Sequence, residues 1–81
     1  MNRNQEQKQI TDPYEFCEYV GKRLASIRRS KGMTQKELAE KAEIGKTTLS
    51  GYELGQHDMS LFAFYKLSNV LGLKFPLCED I

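Results

Sequence analysis

From Thr34 to Gly55 the chain reads TQKELAEKAEIGKTTLSGYELG, and this stretch leaves few folds open. It holds two helical patterns, each about two turns long. Leu38, Ala39 and Ala42 supply the inner face of the first; Leu49 and Tyr52, three residues apart, supply that of the second. Between them, Glu43-Ile44-Gly45 has room only for a tight turn. Two short helices are thereby forced to pack at a sharp corner. The second also carries Gly51 in its middle, where glycine costs about 1 kcal/mol relative to alanine. A helix that keeps such a residue has a use for the missing side chain.

Three further signals extend the pattern. Asp12-Pro13-Tyr14-Glu15 is a helix start, with Asp at the N-cap, Pro at the first position and Glu at the third. The helix it opens runs to about Ser30, with Phe16, Val20, Leu24 and Ile27 as its apolar stripe, and Gly32 stops it in a left-handed cap. Thr34 with Glu37 forms a capping box for the second helix, which ends near Lys41 or Ala42. The third covers about Lys46 to Leu54, with Gly45 as a weak N-cap. Ser60 caps a fourth helix, whose Leu61, Phe64, Leu67, Ser68 and Leu71 point inward and which Gly72 terminates. In Leu73-Lys74-Phe75-Pro76-Leu77-Cys78 the apolar residues then fall at every second position, a strand pattern confined by Pro76 to an edge. A lone strand needs a partner. Two accounts stay open: pairing with the same segment of a second subunit, or an extended tail packed on its own domain. The expected organisation is a disordered polar tail over 1–11, an all-α domain over 12–72 and a strand or tail over 73–81. At 81 residues such a domain buries only about 60% of its unfolded surface, so a partner subunit would help it.

Charge is uneven along the chain. Residues 20–57 hold eight Lys or Arg and four acids, a net of +4, whereas the flanking stretches are slightly acidic and the whole chain is only +1. That asymmetry points to an anionic partner for the middle third. Two short helices joined by a tight turn form a helix-turn-helix, in which the first crosses the DNA backbone and the second enters the major groove, about 12 Å wide. Lys46, Thr47, Ser50 and Gly51 lie on the face of the third helix away from Leu49 and Tyr52. Thr and Ser can donate to or accept from base edges, and Lys46 can reach a guanine edge or a phosphate. Gly51 has two readings: it lets the helix backbone approach DNA closely, which is favoured here, or it relieves crowding against the second helix or a neighbouring loop.

Taken together, R-x-x-K-G-M-T-Q at 28–35, E-L-A at 37–39 and Y-E-x-G at 52–55 resemble the helix-turn-helix domain of the lambda Cro and phage repressor family over residues 20–73. The resemblance implies a four- to five-helix lambda-repressor-like fold and a double-stranded DNA partner. It implies that Gln35 touches a phosphate and braces the recognition helix, that Lys46, Thr47 and Gly51 face bases with Ser50 at the edge of that face, and that Arg28 and Glu53 form an internal salt bridge. A plain phosphate-facing role for Arg28 is the alternative. The chain departs from the family in carrying Glu43 where glycine is common in the turn, which places Glu43 at positive φ, and Gly45 where Ser or Thr is common. Gly51 replaces what is usually a reading side chain, leaving room for recognition by DNA shape. The tail L-G-L-K-F-P-L-C-E-D is similar to the Hip-type antitoxins, DNA-binding partners of kinase toxins in which a C-terminal strand pairs across the dimer.

Other residues are assigned by position. Gln56 and His57 follow the third helix where the family's loop meets the DNA backbone, and His57 is read as a loop residue near phosphate. Lys22, Arg23, Arg29, Lys31, Lys36 and Gln35 are candidates for neutralising phosphates. Tyr14, Phe16, Phe62, Phe64, Tyr65 and Phe75 are read as core or dimer contacts, Phe62 as facing a partner. Cys17 and Cys78 match no metal spacing and are expected to be reduced thiols. The N-terminus lacks the apolar core of a signal peptide, and no run reaches the ~20 apolar residues of a membrane span, so a cytoplasmic location is expected. No base-and-orienter set accompanies Ser50, so no enzymatic chemistry, cofactor or metal is expected. The resulting expectation is a dimeric, sequence-specific regulator, most simply a repressor, on an inverted-repeat operator. The alternative is an antitoxin of a kinase-type toxin pair that also regulates its own operon.

Overall fold

The structure, a computed structural model, describes residues 9–75. Four helices follow one another: α1 (Pro13–Ser30), α2 (Gln35–Ala42), α3 (Lys46–Glu53) and α4 (Leu61–Leu71). Their starts are set by local chemistry. The Asp12 carboxylate accepts the Tyr14 N–H at 3.0 Å. Thr34 and Glu37 exchange both capping-box bonds, at 2.9 and 3.1 Å. Ser60 Oγ accepts the Ala63 N–H at 3.0 Å. Gly45 offers α3 no side-chain cap, as its chemistry requires.

The helices end alike. After each, a backbone N–H reaches back five residues, from Met33 to the Arg28 carbonyl, Ile44 to Ala39, Gln56 to Gly51 and Leu73 to Ser68. Each closure needs a left-handed residue, supplied by Gly32, Gly55 and Gly72 at φ of +73° to +74° and by Glu43 at φ 58°. Glu43 is therefore in the left-handed region despite its side chain, as expected from its place in the turn.

Leu24, Leu38, Ala39, Ala42, Leu49, Leu67 and Leu71 form the core, with Ile27, Met33, Ile44, Tyr52, Met59 and Val70 packed around it. Leu38, Leu49 and Leu67 are wholly buried, each contributing about 1.5–3 kcal/mol relative to exposure. Helix α3 packs against both α1 and α2, and α4 against α2. At Gly21 the backbones of α1 and α3 meet directly: a Cβ there would lie 2.4 Å from the Tyr52 carbonyl oxygen and 2.6 Å from that of Glu53.

Three expectations change. The apolar stripe of α1 is not buried along its length, since Phe16 is 51% exposed and burial deepens only from Val20 to Leu24. On α4, Leu61 and Phe64 are exposed, lining an open apolar cavity with Phe16 and Val20 of α1, and Ala63, Leu67, Ser68 and Leu71 are the buried positions. The strand expected over 73–78 is not formed in its described part. Leu73–Phe75 is irregular, and Phe75 is buried edge-on against Phe64 and Tyr65, ring centroids 5.4 and 5.8 Å apart. The tail at this point packs on its own domain. Pro76–Cys78 lie outside the described residues, as do residues 1–8 of the expected polar tail and Cys78, the second thiol. Phe62 is exposed, stacks at 6.4 Å on Tyr65, and has Lys66 Nζ 4.9 Å above its ring.

Candidate nucleic-acid interface

The frame of the site is a buried polar node. Arg28, on α1, donates from Nε to Glu53 Oε2 at 2.7 Å and from Nη2 to Glu53 Oε1 at 3.1 Å. Its Nη1 donates to the Met33 carbonyl at 2.8 Å. Gln35, the first residue of α2, completes the node by donating from Nε2 to Glu53 Oε1 at 2.9 Å. Both charged side chains are almost entirely buried. A bidentate, charge-assisted pair is strong and directional, so the end of α3 is tied at once to the end of α1 and the start of α2. The salt bridge between Arg28 and Glu53 is thus present, and Gln35 is bonded to the same Glu53 carboxylate on α3; the Arg28 guanidinium is engaged by Glu53 and the Met33 carbonyl.

A concavity of about 320 Å³ opens beside this node, lined by Lys22, Ala25, Arg28, Arg29, Gln35, Ser50, Glu53 and Leu54. Lys22 and Arg29 are seven residues apart and so share one face of α1; both are exposed. Of the phosphate candidates, Lys22, Arg29 and Gln35 meet here, while Arg23, Lys31 and Lys36 do not line this surface. Lys36 is exposed in the first turn of α2. The Thr34 cap engages only the Glu37 N–H, so the Gln35 and Lys36 N–H groups at the helix start are left to face an anion.

The outer side of α3 is open at its N-terminal end. Lys46 and Thr47 are exposed and Ser50 is half-buried. Thr48 is exposed too, an outward residue the sequence reading passed over although the same helical count places it there. The inner side is Leu49 and Glu53, both buried, with Tyr52 half-buried.

Gly51 corrects an expectation. It is buried, and a Cβ built on it would meet His57 Cδ2 at 2.4 Å and Nε2 at 2.9 Å. The space beside Gly51 is filled by the chain's own His57, which fits relief of crowding against a neighbouring loop, the reading not favoured from the sequence. The loop is turned back by Gly55: Gly55 N–H donates to the Tyr52 carbonyl at 3.1 Å and Gln56 N–H to that of Gly51 at 2.9 Å. Gln56 and His57 are both exposed. A second cavity, about 170 Å³ and apolar, lies between α1, this loop and α4, with Phe16, Cys17, Val20, Met59 and Phe64 in its wall; it shares no lining residue with the basic concavity. Among the described residues, no group of His, Cys, Asp or Glu gathers to hold a metal ion, and no helix is long and apolar enough to cross a membrane.

The family model described as Helix-turn-helix matches residues 24–77. The chain belongs to this helix-turn-helix family. Among its helix-turn-helix relatives, the HTH-type transcriptional regulator ImmR of Bacillus subtilis is 47% identical over 54 residues, 67% of this chain and 42% of the relative. Antitoxin HipB of Escherichia coli O6:H1 is 38% identical over 53 residues, 65% of this chain and 56% of the relative. The matched helix-turn-helix segment therefore spans about half the length of these curated relatives. Similar solved structures include the restriction-modification controller protein C.AhdI of Aeromonas hydrophila, with TM-score 0.74 and 31% identity over 75% of this chain and 92% of that one. A chain of the HipA-HipB-O2-O3 complex matches with TM-score 0.63 and 28% identity over 93% of this chain and 100% of that one.

Proposed function

We propose that this chain is a sequence-specific double-stranded DNA-binding transcriptional regulator, a repressor, that reads the major groove with α3 and acts as a homodimer on an inverted-repeat operator in the cytoplasm, with no catalytic role. One observation carries the reading. The outer side of α3 is exposed at Lys46, Thr47 and Thr48, its second half contributes Ser50 and Glu53 to a concavity that also holds Lys22 and Arg29, and the Arg28–Glu53–Gln35 node ties α3 to α1 and α2. A helix in the groove with cations and a helix start on the flanking phosphates is the geometry by which such motifs dock. Membership of the helix-turn-helix family and the relatives named as the transcriptional regulator ImmR and antitoxin HipB support it. The DNA-binding unit runs over residues 12–72, and two recognition helices about 34–36 Å apart would match the half-sites of the operator.

Selection of bound sequences from a random duplex pool at fixed salt tests this. The expected result is a palindromic preference, with affinity falling on a log-log salt plot by about 0.9 per phosphate contact. Lys46→Ala with Thr47→Ala should lose preference among sequences and keep much of the non-specific binding. Preference that survives the double change would show that the reading face lies elsewhere. The second reading, an antitoxin that binds a kinase-type toxin as well as its own operator, draws on the match of 93% of this chain to a chain of the HipA-HipB-O2-O3 complex. A kinase-like reading frame beside this gene, whose product co-purifies with the chain, would favour it.

A further inference from the structure

We infer that His57 supplies the side chain that α3 lacks at position 51, so that a loop residue serves as a specificity-determining group at the centre of the reading face. The inference rests on the groove-reading role proposed for α3. Gly51 is one turn beyond Thr47 and three residues beyond Thr48, and residues at these spacings share a helix face. Both threonines are exposed. Position 51 thus belongs to the outward side of α3 by phase, and its burial is the work of a covering group. That group is the His57 imidazole, whose Cδ2 and Nε2 would lie 2.4 and 2.9 Å from a Cβ at position 51 and whose Cγ would lie 3.6 Å away. No side chain larger than glycine's leaves room for the ring where it stands.

Placement of the ring is set from both sides. Gly55, at φ +74°, turns the chain back, and the Gln56 N–H bond to the Gly51 carbonyl holds the loop one residue before the histidine. On the other side His57, Asp58 and Met59 line the apolar cavity together with Tyr52 and Phe16. His57 nonetheless remains exposed. Because Cδ2 and Nε2 are the ring atoms nearest position 51, the Nδ1–Cε1 edge faces away from it. Imidazole offers one donor and one acceptor when neutral and two donors when charged, and the major groove presents N7 and O6 acceptors on guanine and amino donors on cytosine and adenine. A ring seated on α3 at position 51, one turn from Thr47, stands on the side of the helix proposed to meet base edges, whereas a histidine held away from α3 would not.

Random-pool selection is run at fixed salt on the wild-type chain, His57→Ala, Gly51→Ala and Gly51→Ala/His57→Ala, with thermal melts of each. Alanine at 51 evicts the ring, so the two single variants should lose discrimination at the same base position, by about five- to tenfold, and the double variant should be no worse than either. Melting temperatures should change little for His57→Ala. If the wild-type chain selects a sequence and His57→Ala selects the same one with equal stringency, the inference falls while the groove-reading role stands. A uniform drop in affinity with unchanged preference also overturns it, since that marks a phosphate contact. Should the wild-type chain select no sequence at all, the proposed function fails and the inference with it.

Discussion

Gly21→Ala sets two effects of known sign against each other. In the middle of α1, alanine is the better helix former by about 1 kcal/mol, and at an open position the substitution would stabilise the chain. Position 21 is not open. The new Cβ would lie 2.4 Å from the Tyr52 carbonyl oxygen, 2.6 Å from the Glu53 carbonyl oxygen and 2.9 Å from the Glu53 carbonyl carbon. These are backbone atoms, which cannot swing aside as a side-chain end can. Ordinary contact begins near 3.4 Å, so α1 must withdraw from α3 by about 1 Å, at the overpacking cost of about 1–3 kcal/mol or more. The strain lands on Glu53, whose carboxylate is held at 2.7 Å by Arg28, and about 1 Å of withdrawal stretches that bond beyond hydrogen-bond range. Adding about 1 kcal/mol for the weakened Arg28–Glu53 hydrogen bond and subtracting the helix-propensity gain of about 1 kcal/mol leaves a net destabilisation of about 1–3 kcal/mol, a fall in Tm of roughly 4–24 °C for a domain of this size. Urea unfolding followed by circular dichroism reads it directly. A variant as stable as the parent, or more so, would refute the claim that α1 and α3 meet backbone to backbone.

Three other outcomes follow from features already described. Arg28→Met leaves the Glu53 carboxylate buried with only Gln35 as a side-chain donor and should cost about 3–5 kcal/mol; Arg28→Met/Glu53→Leu should recover a large part of that loss in the same unfolding assay. Glu43→Gly removes the one non-glycine at positive φ among the described residues; relief of about 1–2 kcal/mol of left-handed strain, set against about 0.4–1 kcal/mol of added unfolded-state entropy, predicts a small gain in Tm by calorimetry. Leu49→Ala empties a fully buried site and should cost about 2–5 kcal/mol, read from the urea midpoint.

What the sequence made legible is what short-range chemistry decides. The starts at Asp12, Thr34 and Ser60 rest on side chains reaching two or three residues along, and those bonds are present. The left-handed stop at Glu43 came from the family resemblance, in which glycine is common at that point of the turn; the turn's own glycine, Gly45, is instead the N-cap of α3 in extended conformation. Arg28 and Glu53 are 25 residues apart; no local rule joins them, and only the family resemblance brought them together. Gly51 marks the limit. Helical phase puts it on the outward face whether DNA or a loop covers it, and the answer depended on how Gly55 aims the following residues. Gly21 carried no signal of its own, since its neighbours are backbone atoms of a distant helix. Phe16, Leu61 and Phe64 fit the apolar period but sit where a domain this small has no mass to cover them.

Lys46, Thr47 and Thr48 hold nothing else in place, since the seating of α3 belongs to Leu49, Tyr52 and Glu53 beneath them. Exchanging solvent-facing residues of that kind shifts stability by no more than about 0.5 kcal/mol. The domain is therefore built like a tool with a fixed handle and an interchangeable bit. If α3 reads DNA as proposed, those three positions can be rewritten without renegotiating the fold that carries them.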